Sequence, residues 1–216
     1  MTIRTRLLAA GILVAVLAGC KSQGDIVVRE GVGIQAVRSP CPTVGIPDYT
    51  GDVTLFRAPG GATQDNLDLV ASMTNVRSQC SPGADKVYTQ VSFDVLARRA
   101  DPRGARQVNV PYFVTVLRGG TAVVTKRIGT VTLSFADGQE RAQARGEAAA
   151  YVDRAEATLP EDIRRRITRD RKAGEADAAI DPLAEPDVKA AVASATFEVL
   201  VGFQLDQNQI AYNATR

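Results

Sequence analysis

The chain has 216 residues, with 26 Lys and Arg against 24 Asp and Glu and no histidine. That length suits one domain with an appendage. Lacking histidine, the chain has no imidazole general base, no serine triad of the usual kind and few ways to bind zinc. The near-balance of charge leaves no whole-protein field to attract nucleic acid.

Arg4 and Arg6 precede an uncharged run from Leu7 to Gly19, LLAAGILVAVLAG. Such a run makes a helix of roughly 20 Å, short of the ~30 Å hydrocarbon core. A basic start, a short apolar stretch and small residues at the cut form the pattern of a secretory signal. Leu17-Ala18-Gly19-Cys20 resembles the lipobox of bacterial lipoproteins. The resemblance implies cleavage between Gly19 and Cys20, a diacylglycerol on the Cys20 thiol and an acyl chain such as palmitate on the new amino terminus. Two or more lipid signals hold a protein on a membrane where one does not. By the family's sorting rule, Lys21 in place of Asp after Cys20 implies the outer membrane, facing the periplasm. The alternatives are an ordinary secretory signal with an incidental cysteine, or an uncut signal anchor.

Removal of Arg4 and Arg6 with the leader takes the 26 basic residues to 24, level with the 24 acids. The expected organisation is a signal peptide over 1–19, a lipidated tether over 20–47 and a domain over 48–216. No second apolar run approaches 18 residues, so the lipid is the expected membrane attachment. Cys41 and Cys80 remain, and in an oxidising compartment two thiols most simply form one disulfide. The alternative, a reactive thiol at either position, lacks a histidine to lower its pKa.

Beyond the tether, period-two alternation dominates. Weaker strand signals at 52–57 and 67–79 lead to KVYTQVSFDVLA. There Val87, Thr89, Val91, Phe93, Val95 and Ala97 share one face, and Tyr88, Gln90, Ser92 and Asp94 the other. The pattern returns with Val108, Val110, Tyr112, Val114 and Val116, and with Val131, Leu133 and Phe135. Residues 141–152 carry Ala142, Ala144, Gly146, Ala148 and Ala150 on one face. They read either as a strand opposed by bulky side chains or as a helix, which Ala and Glu favour. The strongest strand is ATFEVLVGFQL, with Ala195, Phe197, Val199, Val201, Phe203 and Leu205 aligned. Turn clusters such as Ser81-Pro82-Gly83 and Asp137-Gly138 separate these segments. About seven half-buried strands predict a mainly β protein, an antiparallel sandwich of immunoglobulin or fibronectin-like type.

A helical excursion is expected over 158–193. Thr158 and Glu161 have capping-box spacing. Acids then lead and Arg164, Arg165, Arg166, Arg169, Arg171 and Lys172 follow as far as Gly174, an order suited to the helix dipole. A short helix is expected from Pro186 to Ala193. Ile163 and Ile167 make a thin apolar stripe, so the segment reads as a solvated helix lying on the sandwich. The sharper alternative is a patch for lipopolysaccharide phosphates, anionic lipid or an acidic partner. The terminal DQNQIAYNATR holds Ile210 and Tyr212 and is expected to pack back on the sheet. FEVLVGFQL followed by IAYNATR resembles uncharacterised lipoproteins of α-proteobacteria, and that resemblance implies no particular activity.

No CxxC pair, phosphate-binding glycine loop or calcium loop occurs, and neither metal nor cofactor is expected. The leading reading is a non-catalytic outer-membrane lipoprotein that binds or scaffolds another envelope protein, with a free sheet edge as the means. The alternatives are a module for glycan, lipid or lipopolysaccharide, acting through the arginine-rich helix or end loops, and a hydrolase with paired carboxylates.

Overall fold

A computed structural model describes residues 39–57, 61–169, 171–172, 174–177 and 180–215. Cys20, the expected cleavage site and most of the expected tether lie outside the described residues. Among the described residues, eight strands occur, in two sheets. They are β1 (Thr43–Gly45), β2 (Asp52–Phe56), β3 (Leu67–Pro82), β4 (Lys86–Arg99), β5 (Arg106–Arg118), β6 (Ala122–Phe135), β7 (Arg141–Asp153) and β8 (Phe197–Phe203). Between β7 and β8 come helices α1 (Glu161–Thr168) and α2 (Pro186–Ser194), and α3 (Gln207–Thr215) follows β8.

One sheet has the order β1-β8-β5-β6 and the other β2-β3-β4-β7, and together they make a β-sandwich. All pairs are antiparallel except β1 with β8, which run parallel in register Val44↔Val199. β1 lies in the stretch read as tether; three residues are too few for periodicity to reveal a strand. The Cys41–Cys80 disulfide is formed and joins the chain just before β1 to β3 in the other sheet.

The core is built from the faces that alternation marks out. Val87, Val91, Phe93 and Val95 of β4, Val108, Val110, Tyr112, Val114 and Val116 of β5, and Val199, Val201 and Phe203 of β8 are all buried. Residues 141–152 form a strand, β7, because large side chains oppose their small ones. A side chain added at Gly146 would collide with the ring of Phe93, and Phe93 meets Tyr112 edge to face at 5.0 Å. The Tyr112 hydroxyl then donates to the Glu147 carbonyl at 2.6 Å, tying β5 to β7 across the core.

Arg99 continues the buried face of β4 and is 2 % exposed. It donates to the carbonyls of Gln139 at 2.7 Å, Gly104 at 2.8 Å, Ala136 at 2.9 Å and Pro102. Its guanidinium also lies over the Phe135 ring at 5.1 Å. One side chain thereby fastens the β4–β5 and β6–β7 loops together.

The expected capping box does not form. Pro160 occupies the N-cap of α1 and has no side-chain donor or acceptor to offer. The Thr158 hydroxyl donates instead to the Arg154 carbonyl at 2.7 Å. The helix ends at Thr168 rather than near Gly174. Ile163 and Ile167 are buried, but against Val188 of α2 in a small core of their own rather than on the sandwich. Beyond the helix, Arg171 pairs with Asp177 at 3.6 Å.

The C-terminal segment packs back as expected, as helix α3. Tyr212 meets Phe56 edge to face at 5.4 Å. Asn213 donates to the carbonyls of Tyr49 and Asp52 at 2.7 and 2.8 Å.

Candidate functional site

The arginine-rich segment is largely neutralised by its own neighbours. Arg164 and Arg165 reach Glu161 at 2.6 and 3.6 Å. Arg166 pairs with Asp187 at 2.5 Å and with Glu185, and these acids hold its guanidinium above its ordinary pKa. Arg171 is buried, whereas Arg169 and Lys172 are exposed. The ion pairs of Arg166 fasten α1 to the start of α2.

Carboxylates do gather in one open depression, where Asp85, Asp153 and Glu156 line the surface beside Leu159 and Pro160. Asp153 is taken by Lys86 at 2.6 Å and Glu156 lies 3.6 Å from Arg118. Among the described residues, no cluster of three His, Cys, Asp or Glu side chains is arranged to hold a metal ion. No helix among them is long and apolar enough to cross a membrane.

The first half of β6 stands out. Ala122 to Ile128 are exposed without a break, and only from Val131 onward do alternate residues enter the core. Val123, Val124 and Ile128 are 64, 49 and 56 % exposed. β6 pairs with β5 on one side and closes its sheet on the other, so alternate N–H and C=O groups of its outer edge face away from the protein. A register shift between Val116 and Leu117 sets Val123 opposite Leu117, while Ile128 stays opposite Phe113. Between these two apolar rows Lys126 lies 5.1 Å over the Phe113 ring. Neither Lys126 nor Arg127 has an ion-pair partner among the described residues. The alternation of Val131, Leu133 and Phe135 marks only the second half of this strand, because both faces of the first half are exposed and carry no inward-outward contrast.

On the other sheet, the outward residues of β3, β4 and β7 form a polar groove. Arg77, Ser92 and Glu147 line up in one row, and Gln79, Gln90 and Ala149 in the next. A further row sets Tyr88 beside Tyr151, ring centroids 4.9 Å apart. At the opposite end Asn75 donates to Asp94 at 2.8 Å, and Arg77 donates to the Asn75 side-chain oxygen at 3.0 Å. Asn75 has φ 51° at the bulge where β3 slips its register on β4, and the bulge turns Arg77 into the groove. The β4 share of this face was legible as a polar alternate side. Its partners on β3 and β7 come into view only with the register.

Comparison with protein-family models, with curated proteins and with solved structures finds no match for the chain.

Proposed function

We propose that this chain is a non-catalytic, lipid-anchored protein of the outer membrane, facing the periplasm, whose sandwich binds another protein of the cell envelope along the free edge of β6. The anchor rests on the lipobox at Leu17–Cys20. The observation that carries the binding role is the exposed run from Ala122 to Ile128. An extended segment that pairs with it satisfies the outward N–H and C=O groups and covers three large apolar side chains. The cations at Lys126 and Arg127 disfavour a second copy of the same strand, since like charges directly across a sheet repel. They favour a partner strand with a carboxylate between apolar residues.

The test is membrane fractionation and cross-linking of the tagged full chain in cells, followed by mass spectrometry. The expected result is a palmitate-labelled chain in the outer-membrane fraction, joined to one discrete protein in stoichiometric amount. Cys20→Ser should abolish the label. A chain that fractionates without lipid overturns the anchor, and lipid or glycan adducts without a protein overturn the adaptor role.

A further inference from the structure

We infer a second binding site in the polar groove on the outer face of β3, β4 and β7, and its ligand class is an uncharged oligosaccharide chain. The groove's charge points to this first. Arg77 and Arg145 bring two positive charges, Asp94 and Glu147 two negative ones, and all four lie on the same face. A site with that balance offers no net attraction to an anion or a cation. It offers donors and acceptors in alternation, which is what a run of hydroxyl groups satisfies.

The side chains are also held in place before any ligand arrives. Arg145 donates to the Ser92 hydroxyl at 3.1 Å, and Asn75 links Arg77 to Asp94. Preorganised polar groups lose less entropy on binding. The amides of Gln79 and Gln90 sit in the middle of this ordered surround. Among the described residues, neither side-chain amide makes a hydrogen bond within the protein, so each has donors and an acceptor to offer.

The tyrosine pair supplies what solvation alone does not account for. Tyr151 is 57 % exposed and lies against Tyr88 at one end of the groove. A flat aromatic surface with a hydroxyl at its rim suits a ligand that is apolar on its ring face and polar at its edge. Next to it Ala149, opposite Gln90, lowers the floor. Rows on one strand face repeat about every 7 Å, so the four rows span roughly 20 Å. That length takes a chain of several sugars rather than one.

The experiment is calorimetric titration of the lipidated full chain, in a polyoxyethylene detergent, with four probes. Three are hexamers of β-1,4-glucose, α-1,4-glucose and β-1,4-N-acetylglucosamine, and the fourth is an uncharged Gly-Ser-Asn peptide. The expected result is saturable binding of at least one hexamer, unchanged between low and high salt because the ligand carries no charge. Tyr151→Ala should weaken it by about tenfold, the worth of one aromatic contact. Ala149→Leu, which raises the floor, should weaken it at least as much, and both variants should keep the wild-type circular dichroism. Lys126→Glu with Arg127→Glu should leave it unaltered, which separates this site from the β6 edge. The inference is overturned by no binding to any hexamer, by binding of the peptide alone, or by hexamer binding that survives both groove variants.

Discussion

Phe93 and Gly146 share a single space in the core: the ring of one lies where any side chain on the other would be. The Ala-rich strand β7 is thereby fitted to the bulky face of β4 and β5. Gly146→Val should overpack the core and cost about 1–3 kcal/mol, and Phe93→Ala should leave a cavity costing about 3–5 kcal/mol. The double variant should be more stable than the sum of the two losses predicts, because valine fills part of the vacated space. Urea unfolding of the four proteins measures this, and strict additivity would show that the two residues do not compete.

Arg99 carries a buried charge whose partners are backbone carbonyls in two separate loops. Arg99→Met keeps much of the volume but strips those carbonyls of their donors. It should cost about 3–5 kcal/mol, since buried groups left unmet lose their full desolvation energy. Arg99→Lys should recover only a fraction, as an ammonium cannot reach that many acceptors in one plane. A lysine variant as stable as wild type in urea would contradict this role.

The disulfide closes a loop spanning 39 positions and secures the entry to β1, the shortest strand in its sheet. On the chain-entropy model, reduction or Cys41→Ser with Cys80→Ser should cost about 4 kcal/mol. The loss should be visible as a large drop in Tm under reducing conditions, and an unchanged Tm would count against it.

Two part-buried groups, Asp68 and Tyr112, contribute to the pH dependence of stability. Arg106 holds Asp68 through two bonds of 2.6 Å and keeps its carboxyl below the ordinary value of 3.8, against the opposing effect of burial. Because the folded pKa is the lower one, this contribution is complete above about pH 4 and is lost as pH falls through the folded value. At the other extreme, burial first and the Glu147 charge second raise the Tyr112 hydroxyl above its ordinary 10.0. That contribution is complete below pH 10 and is lost as pH rises through the folded value. Arg106→Gln should flatten the acid limb of urea midpoint against pH, and Tyr112→Phe the alkaline limb. Tyr112→Phe should also cost about 1 kcal/mol at neutral pH through its lost bond to Glu147. Limbs identical to wild type would refute the assignment.

Alternation made most of the sandwich legible, since every large residue it placed inward on β4, β5 and β8 is buried. It failed where a competing effect took over. The phase of β4 runs on to Arg99, yet a charged residue at an inward position reads as a strand end until the loop carbonyls around it are known. The Thr158 cap failed because Pro160 already occupies the N-cap. The arginines were legible as a cluster, but not that Glu185 and Asp187, some twenty residues later, would fold against Arg166. The groove and the exposed half of β6 depend on cross-strand register, and register depends on bulges that one strand's pattern does not show.

The most direct test of the account is site-specific photo-cross-linking in living cells. The full chain would carry a photoreactive amino acid at Val123 or Ile128 on β6, or at Gln143 on the exposed face of β7. Pairing along the β6 edge should give one discrete envelope-protein adduct from both β6 positions, none from Gln143, and loss of the adduct when Lys126 and Arg127 are changed to Glu. An adduct equally strong from Gln143, or none from β6 in cells where the chain is membrane-bound, would contradict it.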